Sequence, residues 1–198
     1  VDNNGNTETP RSLDIKIDWT AGTVQSSLGG TLGNLGYYTT PVQVILTASD
    51  NVSGVANSYY RIDGGNTNQY NGAFTVSTDG LHAVDYWTTD RAGNTSTTST
   101  VNFKIDRTPP VTQVSFADNF LGNDGWYRGS VQISMSATDS QSGVQVIQYK
   151  IDSGTLKTYT TPFNYSSNGI HTITYWSVDK VLNTETVKTA QLKIDQSF

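Results

Sequence analysis

An internal repeat at an offset of 89 residues constrains this chain more than any other feature. With Tyr38 laid on Tyr127, the offset runs without a gap to Asp106 on Asp195. Along it Val42 meets Val131, Asp50 Asp139, Ser53-Gly54-Val55 Ser142-Gly143-Val144, Tyr60 Tyr149, Phe74 Phe163, His82 His171 and Lys104-Ile105-Asp106 Lys193-Ile194-Asp195. Aromatic, glycine and acidic positions kept in step over such a length mark a tandem module. Residues 1–18 follow the same scheme at an offset of 88, with Asp2 on Asp90, Gly5 on Gly93, Asn6 on Asn94 and Lys16-Ile17-Asp18 on Lys104-Ile105-Asp106. They read as the last strand of a preceding repeat. The expected organisation is therefore a stub at 1–18, a first module at 19–106 and a second at 107–198. Pro109-Pro110 fixes an extended linker between the modules.

Within a module the apolar residues alternate with period two. Val42, Val44 and Leu46 share one face, as do Val131, Ile133 and Met135; Val84, Tyr86 and Thr88 do likewise, as do Ile173, Tyr175 and Ser177. Turn pairs such as Asp63-Gly64 and Asp79-Gly80 separate such runs. Thr, Ser, Val and Tyr are abundant while Ala, Leu, Glu and Lys are sparse, which is the bias of strands. Short strands at this spacing predict an all-β fold of tandem immunoglobulin-like β-sandwiches with almost no helix. Trp19 and Trp126 are expected to pack at the module ends.

A net charge of −5 argues against nucleic acid and anionic membranes, which require a basic face. No apolar run approaches the ~20 residues of a membrane helix, so membrane insertion is not expected. With no cysteine, disulfides and thiolate metal sites are excluded. No leader is legible, and a chain opening in mid-pattern reads as part of something longer.

Tyr60-Arg61-Ile62-Asp63-Gly64-Gly65, Asp50-Asn51-Val52-Ser53-Gly54-Val55, Asp90-Arg91-Ala92-Gly93-Asn94 and Lys104-Ile105-Asp106-Arg107-Thr108-Pro109-Pro110 resemble the bacterial immunoglobulin-like and fibronectin-III-like repeats of large exported proteins. The resemblance implies non-catalytic spacer or adhesion modules of a secreted or cell-surface bacterial protein, with neighbouring repeats as partners. The second reading that it admits is of accessory carbohydrate-binding modules beside a secreted polysaccharide-degrading enzyme, with a glycan or cell-wall polysaccharide as partner. Lys180-Val181-Leu182 departs from the Ala-Gly of that pattern, so a different loop shape is expected there.

Three constellations could carry chemistry. The two histidines occupy one repeat position on an inward parity, where a packed, hydrogen-bonded ring explains both, and no nucleophile elbow, zinc helix or phosphate loop accompanies them. In a sandwich the strands ending at Asp50 and Asp90 run to one pole, and the preceding strand delivers Asp18 there. Asp106, Asp139 and Asp179 form the equivalent group, with Asn94 and Asn183 on the loops. Such oxygens suit calcium; the same Asp-x-x-Gly-Asn pattern is equally a sound turn without metal. Finally, Trp87 with Tyr59 and Arg61, and Trp176 with Gln148 and Lys150, would face outward as platforms for sugar rings, or each Trp covers its own sheet beneath the neighbouring Arg or Lys stem.

Overall fold

The computed structural model describes residues 3–117 and 119–197; Asp2, aligned with Asp90 by the repeat, lies outside the described residues. The first repeat contains β1 (Thr23–Gly29), β2 (Tyr37–Tyr38), β3 (Val42–Ser49), β4 (Val55–Ile62), β5 (Asn68–Gln69), β6 (Phe74–Val76), β7 (Gly80–Asp90) and β8 (Ser99–Ile105). The second contains β9 (Val111–Phe116), β10 (Trp126–Tyr127), β11 (Val131–Thr138), β12 (Val144–Ile151), β13 (Lys157–Tyr159), β14 (Phe163–Tyr165), β15 (Gly169–Asp179) and β16 (Lys188–Ile194). Among the described residues helix is confined to single turns at Asn34–Gly36 and Asn123–Gly125. Each repeat has a five-stranded sheet, β2-β8-β7-β4-β5 or β10-β16-β15-β12-β13, and a three-stranded one, β1-β3-β6 or β14-β11-β9. The chain is all-β, a tandem of immunoglobulin-like sandwiches.

By compactness the chain divides into Val1–Ser26 with Leu46–Gly72 and Val84–Thr100, and Ser27–Ile45 with Ala73–Ala83 and Val101–Phe198. In the first unit β4 and β7 are antiparallel, Tyr59 opposite Trp87 and Arg61 opposite Asp85. A register shift between Val55 and Asn57 makes a bulge that recurs between Val144 and Val146. In the second unit Tyr127, Val131, Ile133, Met135, Tyr149, Ile173, Tyr175, Leu192 and Ile194 form one core. All come from alternate positions of their strands, as side chains pointing to one face of a sheet must. The histidines are packed as expected: His82 and His171 are buried, and their Nε2 atoms bond the carbonyls of Thr78 and Ser167 at 2.8 and 3.0 Å.

Three details depart from the sequence reading. Residues 6–22 carry no strand, and Leu13, Ile15 and Ile17 are exposed. Lys104 and Ile105 are held in register by Tyr37 and Tyr38, whereas Lys16 and Ile17 have no strand beside them among the described residues. Trp19, on the same segment, is 86% exposed rather than packed, while Trp126 is half-buried. The 180–182 loop, expected to differ, keeps the form of its counterpart. Leu182 takes φ 75° where Gly93 has 94°, and each donates its N–H to the preceding aspartate carbonyl at 3.3 Å. Glycine enters that region freely and leucine at some cost, so the loop's other hydrogen bonds hold the shape.

The second repeat also buries an acid that the sequence did not single out. Glu185 accepts hydrogen bonds from the Thr112 N–H at 2.9 Å, the Thr112 hydroxyl at 2.5 Å and the Ser177 N–H at 3.2 Å, and pairs with Lys188 Nζ at 2.5 Å. Burial alone would raise its pKa; Lys188 and the Thr112 donors outweigh that, so the carboxyl titrates below its ordinary 4.5. A depressed folded pKa contributes stability that is complete above the unfolded value and is lost as pH falls through the folded one. The melting temperature is therefore expected to fall with acidification below pH 4.5, less steeply in Glu185→Gln. Parallel melting curves for the two proteins across that range would remove Glu185 as the cause.

Candidate functional site

The aspartates singled out by the repeat converge in two equivalent clusters. One oxygen from each of Asp18, Asp50 and Asp90 lies within 4.8 Å of the others, and the same holds for Asp106, Asp139 and Asp179. In the second cluster Asp106 follows β8, Asp139 follows β11 and Asp179 ends β15. Asp106 and Asp179 are fully buried, and Asp90 nearly so. Among the described residues none of the six forms an ion pair with Lys or Arg.

Much of this carboxylate capacity is used locally. Asp139 Oδ1 accepts the N–H groups of Gln141 and Gly143 at 3.1 and 2.7 Å, as Asp50 Oδ1 accepts those of Val52 and Gly54. Asp179 Oδ1 accepts from Val181 N and Asn183 N at 2.9 and 2.8 Å. Asp106 Oδ2 accepts the Ser142 N–H at 3.0 Å, and Asp18 Oδ2 accepts that of Ser53 at the same distance. Asn183 donates its amide nitrogen to Asp179 Oδ2 at 2.7 Å and to the Asp106 carbonyl at 3.2 Å; Asn94 does the same for Asp90 and Asp18. Both asparagines thus face the acids with their amide N–H groups.

Two features are left over from that local bonding. In each cluster three carboxylates lie together, two of them buried in the second cluster and one in the first, with no Lys or Arg paired to them among the described residues, although buried charge is costly unless compensated. The hydroxyls of Ser53 and Ser142 are also buried without a hydrogen-bond partner, and Ser142 is only 7% exposed. The Ser53 hydroxyl stands against Asp18 and, with the Thr20 N–H, holds that carboxyl down at about 2, although it completes no hydrogen bond of its own. Nothing in the sequence marked these serines beyond their recurrence. An all-oxygen set of carboxylates with a spare hydroxyl fits a hard cation such as calcium, and does not fit a soft one.

The aromatic candidates are placed unequally. Tyr59 and Trp87 stack at 5.8 Å between ring centroids, and the Arg61 guanidinium lies over the Trp87 ring at 5.6 Å while bonded to Asp85 at 2.9 Å. Trp176 faces Gln148 across the sheet, with Lys150 two residues further along, and all three are half-buried. Trp87 is thus stacked on a second ring, Tyr59, and a cation covers one of its faces, whereas the residue across from Trp176 is Gln148.

Two tandem immunoglobulin-like sandwiches carrying repeated acidic poles are the class that the fold and its sites define. No protein-family profile and no characterised protein matches the chain. Among solved structures it is similar to the fibronectin(III)-like modules of Clostridium thermocellum CbhA, at 10% identity and a TM-score of 0.34, over 86% of this chain and 95% of that one. A likeness that weak adds nothing to the fold described above. Among the described residues no helix is long and apolar enough to cross a membrane.

Proposed function

We propose that the chain is a non-catalytic spacer or adhesion piece of an exported, secreted or cell-surface bacterial protein, built of repeats at 19–106 and 107–198 with the last strand of another at 1–18. One observation carries this reading. Asp106, the last residue of one repeat, is fully buried and bonded by Ser142 and Asn183 of the next, so the link between repeats is a built contact and not a loose tether. Calcium would be held by Asp106, Asp139 and Asp179 with the Ser142 hydroxyl, and by Asp18, Asp50 and Asp90 with Ser53. It would neutralise the clustered carboxylates and stiffen each pole.

The alternative, an accessory carbohydrate-binding role, is favoured by the Tyr59–Trp87 stack. Arg61 weakens it, because the guanidinium must leave the Trp87 face before a sugar can stack there. The spacer reading is tested by limited trypsin digestion. Arg107 sits at the junction with its guanidinium on the Ser77 carbonyl at 2.7 Å, while the exposed Arg11 lies on the strandless segment and serves as the internal reference. Cleavage after Arg107 is expected to be at least about tenfold slower than after Arg11, and to approach it in Asp106→Ala, as local opening is what admits a protease. Equal rates at both sites in the unaltered chain would sink the reading.

A further inference from the structure

The contact between the repeats has a second part, and its counterpart in the first repeat is uncovered. In the second unit Asn34 donates its amide to the Lys180 carbonyl at 3.2 Å, and the Tyr37 hydroxyl donates to the Gln141 carbonyl at 3.1 Å. A Cβ built on Gly33 would stand 3.9 Å from Val181 Cβ, and Val181 is only 5% exposed. The repeat places Val52 on Gln141, Arg91 on Lys180 and Ala92 on Val181. At that place Val52 is 63% exposed, and Arg91 and Ala92 are exposed too. Together with Ile15, Ile17 and Ser53 they line a cleft of about 650 Å³.

We propose that this cleft is the seat of another immunoglobulin-like repeat of the same polypeptide, the one whose last strand is Leu13–Ile17. It docks through an Asn-x-x-aromatic turn equivalent to Asn34–Tyr37. The inference rests on the spacer reading and names its partner. Chemistry and register both select the occupant. The turn's amide donates to the Arg91 carbonyl, its aromatic hydroxyl or indole N–H donates to the Val52 carbonyl, and its glycine lies over Ala92. The two residues after that glycine-containing turn pair in parallel with Lys16 and Ile17, as Tyr37 and Tyr38 pair with Lys104 and Ile105. This pairing supplies the ladder that residues 13–17 lack, and it covers Ile15 and Ile17, which are 75% and 60% exposed. The second repeat carries the same device at Gly122, Asn123 and Trp126, so one recognition element recurs once per repeat.

The test uses the absence of native cysteine. A disulfide spans Cβ atoms about 3.5–4.5 Å apart, which the Gly33–Val181 geometry meets. The first protein is this chain with Gly33→Cys, Val181→Cys and Thr39→Ser, the last because the Thr39 methyl would lie 2.8 Å from the new Cβ. The second is the chain with a further copy of residues 19–106 in place of residues 1–18, carrying Gly33→Cys and Thr39→Ser in the copy and Ala92→Cys in the original first repeat. Both are expected to close an intramolecular disulfide under oxidised glutathione, seen by mass spectrometry after trypsin. Closure in the first protein and not in the second overturns the docking and leaves the spacer reading standing. Failure in the first overturns both. A disulfide-linked dimer of the second protein would make a second chain the occupant and also overturn the proposal.

Discussion

Replacing Asp179 with Ala is expected to destabilise the second repeat by about 2–5 kcal/mol, because it strands the Val181 and Asn183 N–H groups that Asp179 Oδ1 accepts and each unpaired buried donor costs about 1–3 kcal/mol. At about 2–4 °C per kcal/mol for a chain of this length, the melting temperature falls by roughly 5–20 °C. Removing one of three crowded carboxylates also relieves repulsion, which acts in the opposite sense. Asp179→Asn separates the two effects, since it can retain an oxygen for the peptide donors while removing the charge. The hydrogen-bond argument predicts that Asn is much milder than Ala in calorimetry and in guanidinium unfolding. If repulsion dominates, both variants melt above the unaltered protein, and Asp179 is then not what holds the loop.

Calcium is expected to produce the other large effect. With extracellular modules binding it at about 10⁻⁴–10⁻³ M, about 10 mM calcium approaches a hundredfold excess over the tighter figure. A ligand at that excess, bound only to the folded state, contributes about 2.7 kcal/mol, a rise of roughly 5–11 °C over the chelated protein. Asp50→Asn with Asp139→Asn should abolish the rise, because each pole loses one of its three carboxylates. Ser142→Ala should reduce it only if the buried hydroxyl is a ligand. Magnesium should give less, since it demands a tight octahedron that loop carboxylates seldom supply. A melting temperature indifferent to chelator and calcium would leave all six aspartates as turn and junction residues, with their N–H partners as the whole of their role.

The two predictions probe different properties of the same residues. Asp179→Ala tests what the carboxylate does for its own loop; the titration tests what the three do together. The first effect is expected with or without metal, and the second requires it.

Some of this was legible from residue order alone. Period-two alternation along Gly80–Asp90 and Gly169–Asp179 put His82, Val84, Tyr86 and Thr88 on one face with their partners in the second repeat, and burial follows that parity. The convergence of Asp50 with Asp90, and of Asp139 with Asp179, followed from two strands of one sandwich ending at the same pole. Other features left no local pattern. The two-residue strands Tyr37–Tyr38 and Trp126–Tyr127 are too short to show a period, and exist because a partner strand holds them in parallel. Glu185 sits where the first repeat has Ser96, so the repeat itself hid it, and its burial depends on Thr112 lying across from Ser177. Leu182 read as a break in the Asp-x-x-Gly-Asn loop, yet hydrogen bonds from Asp179 and Asn183 impose on it the left-handed backbone that Gly93 adopts freely.

Sequence by itself determined the all-β class, the tandem repeat and the acidic poles, because alternation and spacing are properties of residue order that any sandwich must honour. Only the tertiary structure decided which surfaces are covered. Val181 and Ala92 hold the same repeat position, and one is buried beneath Gly33 while the other is open. Trp87 carries Arg61 on its face, and Lys16-Ile17 lies without a strand although its twin Lys104-Ile105 is paired. The physical reason is the same in each case: burial and pairing belong to contacts between distant segments, and equivalent repeat positions take different states where those contacts differ.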